Sequence, residues 1–352
     1  MEFFSKESGI AAINTIRWKT IGILLPCLVL IHYIVLAPPQ KVLEAQKKVL
    51  SQIPELPKPP TLEDLIEHSP WAQFKTNASH PAGMDDGYAA ICLSVKDQQQ
   101  DLPEFLIHHY FHLGFRNFYI MDDGSSPPLS TLPDLGIPRS AVTFFYQERG
   151  SRHSYQQLVF YDHCLKTWGH EHEWIAFIDA DEFLEVTSPN ETFRGILESV
   201  IEKDDAYGAL GVSWKIHSSS GLLTRPISAR KSFTTCIYDA PEDQGQSSDN
   251  RHVKTIGRPS KINGPMNPHK FNLYQGAVTV GEHWDEVETI AFRQPITRDR
   301  LALHHYAVKS REEYVAKINR GNGMTDPKGE GFWEHIETMP HVNCPEMAQY
   351  DP

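Results

Sequence analysis

Apolar residues in this chain follow two kinds of pattern. The first is an unbroken run, Ile21–Ala37 (IGILLPCLVLIHYIVLA), with no formal charge, preceded by Arg17 and Lys19 and followed by Lys41. A membrane span takes roughly 17–25 apolar residues, so the run is short but sufficient. Pro26 and His32 weaken it. Pro38-Pro39 follows in place of a small-residue cleavage site, and no polar face interrupts the run. An uncleaved membrane helix is therefore expected over a cleaved signal peptide or a buried soluble helix. Basic residues balance on the two sides, so charge alone leaves the orientation open. From Pro38 to about Asp85 the chain is polar and proline-rich and reads as a stem, with Lys41–Leu50 suited to a short amphipathic helix.

The second pattern starts at Tyr88, where apolar runs of strand length alternate with capped helices. Tyr88–Val95 is a strand; Asp101-Leu-Pro-Glu104 reads as an N-cap with a carboxylate three residues on, opening a helix that Gly114 stops. Asn117–Met121 and Val142–Tyr146 are further strands, Ser151 starts a helix to about Trp168, and Trp174–Ile178 is a fourth strand. This order predicts an α/β fold with a parallel sheet and right-handed crossovers, in which ligands bind at the carboxyl ends of strands. Later in the chain Ala206–Trp214 and Phe271–Thr279 read as strands and Asp239–Asn250 as an exposed acidic loop. Ser310-Arg-Glu-Glu313 is a capping box for a helix ending at Gly321.

Composition narrows the functional classes. The 352 residues are 40% apolar and 22% charged, with 33 Lys plus Arg against 45 Asp plus Glu, a formal net charge of −12. That acidity argues against a nucleic-acid partner, which calls for a basic surface. It leaves room for an anionic small substrate held by a metal or a local basic cluster. The five cysteines, Cys27, Cys92, Cys164, Cys236 and Cys344, form no CxxC pair, so a zinc knuckle is not expected. Their odd number leaves at least one thiol over, and spacing alone assigns no disulfide. Two sequons, Asn77-Ala78-Ser79 and Asn190-Glu191-Thr192, are compatible with a lumenal body.

Two acidic turns follow buried strands directly. In Asp179-Ala-Asp181-Glu182 the first and third residues of an extended segment point to the same side, so two carboxylates converge. Converging carboxylates repel unless a cation lies between them. Mg²⁺ and Mn²⁺ take oxygen ligands and leave positions for substrate phosphates. On a nucleotide diphosphate leaving group such an ion stabilises charge where it develops. Asp122-Asp123-Gly124-Ser125 either presents a carboxylate to a base or ribose or is an ordinary turn.

The ordered segments Val95-Lys96-Asp97, Glu104-Phe105-Leu106, His109, Leu113-Gly114, Phe118–Ser125, Gln157, Tyr161–Leu165 and Trp174–Leu184 resemble glycosyltransferase family 92 and its relatives in family 2. Trp214, Ser219-Ser220-Gly221, Lys254-Thr255-Ile256, Arg258-Pro259, Pro268-His269 and His305–Gly321 continue the resemblance. Asp97-Gln98 and Ile216-His217 depart from the usual pattern and bear on donor sugar and acceptor more than on fold. The resemblance implies a GT-A-like nucleotide-diphospho-sugar transferase domain with a central, mostly parallel sheet. It also implies a UDP-sugar donor (typically galactose), a glycan acceptor, Mn²⁺ (or Mg²⁺), inverting transfer, and a single-pass type II Golgi membrane protein with a lumenal body. The expected layout is a cytoplasmic tail over 1–20, a signal-anchor over 21–37, a stem over 38–85 and the glycosyltransferase domain over 86–352.

The same resemblance puts Asp123 near the nucleoside, with Lys96 and Asp122, and gives metal and diphosphate to Asp179 and Asp181. His305 is the candidate third metal ligand, with a core histidine as the competing reading and His304 as its neighbour. Lys254 and Arg258 either offset diphosphate charge or are surface cations. An inverting enzyme needs a general base. Glu282, Asp285 and Glu286 are the pool, Asp285 first and Glu282 next. Trp284 is placed to stack on a sugar, and Trp214 and His269 join it on the acceptor side. The competing classes are a metal-dependent phosphoesterase, which calls for more clustered histidines and carboxylates, and an inactive sugar-binding or scaffold relative, in which loss of the acidic pair is expected.

Overall fold

A computed structural model describes residues 84, 86–151, 153–325 and 328–350, all within the compact unit Thr61–Pro352. The expected membrane run, the stem up to residue 83, the Asn77 sequon and Cys27 lie outside the described residues. Among the described residues no helix is long and apolar enough to cross a membrane.

The first half builds the parallel sheet that the pattern predicts. Strands β1 (Ala89–Val95), β2 (Phe118–Asp122), β3 (Val142–Tyr146) and β4 (Trp174–Phe177) pair in parallel in the order β3-β2-β1-β4. Beyond β4 the sheet turns mixed. After β5 (Glu182–Val186), β6 (Tyr207–Ile216) and the short β7 (Thr235–Ile237) comes β8 (Val253–Gly257), which lies antiparallel between β4 and β6. Strands β9 (Ile262–Pro265) and β10 (Phe271–Leu273) pair with each other, and β11 (Val278–Val280) runs parallel to β6. Strand β12 (Leu301–His305) is parallel to β6 and antiparallel to β5, completing nine strands; β13 (His341–Asn343) pairs with β7.

Among the described residues the helices are α1 (Leu102–Ile107), continued by a wider π-type turn over His108–His112, α2 (Gln156–Trp168), α3 (Phe193–Lys203), the single turn α4 (Ala229–Ser232), α5 (Arg311–Arg320) and α6 (Glu330–Thr338). Both faces of the parallel sheet are covered, so its strands are apolar on alternate sides. Ala89, Ile91 and Leu93 of β1 join Trp174 and Ala176 of β4 in the larger core. Ala90, Cys92, Ile175 and Phe177 join Phe160, Tyr161 and Cys164 of α2 in the second. Strands buried on both faces read as continuous apolar runs, which is how YAAICLSV and WIAFI appear in the sequence.

Several boundaries differ from the expectation. The stretch Phe271–Thr279 is two short strands, β10 and β11, separated at Gly276 with φ 87°. Helix α2 begins at Gln156, after a single 3₁₀ turn at Arg149–Ser151. Asp101 accepts no capping hydrogen bond. Its buried carboxylate takes Lys309 Nζ at 2.5 Å and Arg225 at 2.8 Å. Glu104 receives Ser228 Oγ, the Ala229 N–H and Arg230. Charged partners from distant loops outbid local capping there. The capping box at Ser310 and Glu313 forms as read.

Two disulfides, Cys92–Cys164 and Cys236–Cys344, close loops of 72 and 108 residues. The first ties β1 to α2 inside the second core; the second fastens the C-terminal segment to β7.

Candidate active site

The carboxyl ends of β1, β2 and β4 open onto one cleft of about 300 Å³. Strand pairing brings them level, since Val95 of β1 lies beside Asp122 of β2 and the Asp123 N–H donates to the Val95 carbonyl at 2.8 Å. The turn after β2 depends on Gly124, whose φ is +70° and where an added Cβ would lie 2.5 Å from Arg149 Cγ. Arg149 in turn pairs with Asp97 at 2.6 Å and fixes the loop after β1. Lys96 Nζ reaches the Arg320 carbonyl at the end of α5 at 2.8 Å.

After β4 the chain turns tightly at Asp179–Glu182. The Glu182 N–H donates to the Asp179 carbonyl at 2.9 Å and Glu182 Oε2 accepts the Asp179 N–H at 2.8 Å. Asp179 keeps a 32% exposed side chain, with Gln157 Nε2 at 2.7 Å on one oxygen and Lys254 Nζ at 2.8 Å on the other. Asp181 is only 9% exposed, with Lys317 Nζ at 2.7 Å on Oδ2 and His305 Nε2 at 3.8 Å from Oδ1. Lys317 also donates to the Ala307 carbonyl at 2.9 Å. Burial works against the charged form of Asp181, but Lys317, His305 and Lys309 outweigh it and hold the carboxyl below the usual range. Burial pushes Glu182 up to about 8, with Lys254 opposing and the Asp179 and Asp181 charges adding. Lys254 is raised despite its burial because Asp179 and Glu182 face it, so it stays a cation.

Around the cleft stand Lys96, Lys254, Lys317, Arg320 and Lys328 against Asp123, Asp179 and Asp181. Five cations to three carboxylates make a positive enclosure in a protein of net charge −12, and such focusing concentrates anions. The far wall is aromatic. Trp214 of β6 packs on His305 with ring centroids 4.3 Å apart and on His269 at 5.2 Å.

The donor atoms suit a hard divalent cation at two positions. Asp181 Oδ1 and His305 Nε2 face each other, His305 Nδ1 has no hydrogen-bond partner, and Glu182 Oε1 beside it at 4.0 Å has none either. Burial keeps His305 well below the ordinary histidine value, and a neutral ring is what a metal ligand requires. Each oxygen of Asp179 accepts one hydrogen bond, from Gln157 and from Lys254, and no contact with His305 is seen among the described residues. Among the described residues, the triples whose donor atoms lie within 4.8 Å of one another are His217, Cys236 and Cys344, and Glu282, His283 and Asp299. In the first the cysteines are bonded to each other. Neither triple lines the cleft.

Of the sequence candidates, Lys96, Asp123, Asp179, Asp181, Lys254, Trp214, His269 and His305 come together in the cleft, and the others do not. Asp122 accepts the Ser125 and Leu129 N–H groups and shapes the turn instead. Arg258 is held by Glu173 and Asp205 at 2.8 and 2.9 Å. Asp285 makes a two-pronged pair with Arg293 at 2.6 and 2.7 Å. Glu282 is buried and accepts the N–H groups of Asp299, Arg300 and Leu301. Trp284 stacks on Tyr207 at 6.2 Å. His304 turns to the opposite side of β12, between His217 and Glu185. Sequence reasoning gave no role to Gln157, Lys317 or Arg320. A signal existed for Lys317: Tyr314, Lys317 and Ile318 follow helical spacing on α5 and, with Gly321 just past its end, face the cleft.

A glycosyltransferase family 92 protein from Oryza sativa subsp. japonica is 27% identical over 203 residues, which is 54% of this chain and 31% of that protein. The chain thus spans about a third of the length of this curated relative. Two solved structures overlap in part. The mannosyltransferase PcManGT from Pyrobaculum calidifontis, in complex with GDP-Man and Mn²⁺, is 16% identical over 41% of each chain, with a TM-score of 0.24. The bifunctional glycosyltransferase WbbM, in its apo form, is 12% identical over 39% of this chain and 25% of that one, with a TM-score of 0.22. Scores this low do not establish a shared fold. The profile of glycosyltransferase family 92 matches residues 95–294, more than half of the chain, and the chain belongs to that family.

Proposed function

We propose that this protein transfers a hexose, galactose foremost, from a UDP-sugar to a glycan acceptor with inversion, in a GT-A-like domain assisted by Mn²⁺ or Mg²⁺. The observation that carries this reading is the positive cleft at the strand ends, in which Asp181 and His305 leave two ligand atoms facing each other. The nucleoside lies along Lys96 and Asp123 beyond β1 and β2. Lys254, Lys317 and Arg320 surround the diphosphate. Asp181 and His305 hold the cation, and Asp179 positions Lys254. When bound, the cation supplies Lewis-acid stabilisation of the charge developing on the leaving diphosphate. Lys317 lies on Asp181 where it meets that same charge. Trp214 gives the sugar an aromatic face. The body faces the Golgi lumen on a type II anchor at 21–37. Two disulfides support an oxidising compartment, since such bonds are rare in the cytosol.

The test uses the full chain in detergent with a nucleotide-sugar panel and Mn²⁺. UDP release from one UDP-sugar, suppressed by a chelator, is expected. Absence of both turnover and nucleotide binding across the panel would sink the reading.

A further inference from the structure

Of the acids that sequence favoured as proton acceptors, Asp285 and Glu282 are bound by Arg293 and by backbone N–H groups, and neither they nor Glu286 line the cleft. Of the three carboxylates inside it, Asp179 and Asp181 are each paired with a lysine, and Asp123 belongs to the turn after β2 that the reading above gives to the nucleoside. The aromatic wall of the cleft, where Trp214 stands and where the reading above places the acceptor, carries His269 just before β10. Its ring orientation is fixed. His269 Nδ1 lies 3.0 Å from the Val253 carbonyl, and a carbonyl only accepts, so the proton is on Nδ1 and Nε2 keeps its lone pair. Among the described residues Nε2 takes part in no hydrogen bond, and the ring lines the cleft. The backbone is pinned as well: the His269 N–H donates to Asn267 Oδ1 at 2.7 Å, and its carbonyl accepts Thr255 Oγ1 at 2.7 Å. The carbonyl thus sets the tautomer and the loop sets the position, the preorganisation that a positioned proton acceptor needs.

We propose that His269 is the general base of the transfer, taking the proton of the acceptor hydroxyl on Nε2. This rests on the glycosyltransferase reading above. The acceptor oxygen forms a bond to the anomeric carbon as the bond from that carbon to the diphosphate oxygen breaks. The diphosphate leaves with the electron pair. The acceptor proton passes to Nε2, and the imidazolium returns it to solvent. Burial, with the nearby Lys254 and His252, holds the free ring neutral.

The experiment compares full-length wild type, His269→Ala and His269→Gln with UDP-galactose, Mn²⁺ and a glycan array, alongside UDP binding by titration calorimetry and thermal unfolding. Glutamine preserves a donor to Val253 but takes no proton. Both variants are expected to bind UDP within threefold of wild type and to lose about 10²–10⁴-fold in kcat, the usual range for removing a general base. Added imidazole is expected to restore at least tenfold to His269→Ala and nothing to His269→Gln. A kcat within threefold of wild type, absence of imidazole rescue, or a loss of UDP binding matching the loss of rate overturns the assignment. If wild type neither binds UDP nor turns over any donor, the transferase reading itself fails, an outcome distinct from an active enzyme indifferent to His269.

Discussion

Lys317 Nζ donates to Asp181 Oδ2 at 2.7 Å across 136 residues of sequence. It clips the helix α5 to the acidic turn after β4, and with Lys254 on Asp179 it puts an ammonium on each carboxylate of the pair. The turn is therefore balanced before any ligand arrives, and the two lysines are placed to follow the negative charge as a diphosphate enters. Lys317→Met is expected to raise the KM for the UDP-sugar at least tenfold, about 1.4 kcal/mol. Steady-state kinetics on the purified variant checks this; an unchanged KM removes Lys317 from the diphosphate.

The two aspartates are expected to differ. Asp181 has a free oxygen facing His305, whereas Lys254 and Gln157 occupy Asp179. Asp181→Asn is expected to abolish Mn²⁺ binding measured without nucleotide, and Asp179→Asn to leave it within about fivefold. Equal losses in the two variants would show both acids to be ligands.

Below β12 a buried chain runs from the Phe233 carbonyl through His217 and His304 to Glu185, with links of 2.6, 2.8 and 2.8 Å. The carbonyl fixes the proton on His217 Nδ1, so His217 Nε2 accepts from His304 Nδ1. With His304 held neutral by burial, at about 3, His304 Nε2 also accepts, and Glu185 must donate. Burial and the nearby Glu346 push Glu185 up to about 7, with Lys215 and Gln349 opposing. A folded value above the unfolded one gives stability that is present below about 4.5 and lost as pH rises through about 7. Glu185→Gln mimics the protonated acid. Its urea midpoint is expected to gain on that of wild type from pH 5 to about pH 7 and to level off above that, a comparison in which the histidine contributions cancel. A difference independent of pH contradicts the proton placement.

The disulfide Cys236–Cys344 closes the longer loop, and its chain-entropy contribution is about 4–5 kcal/mol before native-state strain. The Cys236→Ala/Cys344→Ala pair is expected to lower Tm by at least 5 °C and to expose the segment after β13 to protease. Differential scanning calorimetry and limited proteolysis report the two effects. An unchanged Tm would mean that the β7–β13 ladder holds that segment without the bond.

The parallel half of the fold was legible because β1, β2 and β4 are buried on both faces and so write themselves as apolar runs. The second half was harder to read. Strands β10 and β11 are three residues each, and β8 enters antiparallel from a distant loop, for which no local pattern exists. The acidic turn at Asp179–Glu182 and the residues Lys254, His269 and His305 emerged from motif order. Gln157 and Lys317 stood in the same ordered segments, but their pairing with Asp179 and Asp181 was not legible, since it joins α2 and α5 to the turn across long stretches of sequence. Asp285 misled because a carboxylate beside a tryptophan looks like a sugar site in one dimension. Its bond to Arg293 is visible only in three. Asp101 misled in the same way, reading as a helix cap while its charge was committed to Lys309 and Arg225.

The most direct test is UDP release from UDP-galactose by the full-length protein in Mn²⁺, compared with Asp181→Ala and with Glu288→Ala, an exposed acid outside the cleft. The cleft assignment predicts turnover by wild type and Glu288→Ala, and at least a hundredfold loss in Asp181→Ala with the thermal transition retained. Turnover by Asp181→Ala within a few fold of wild type would contradict it.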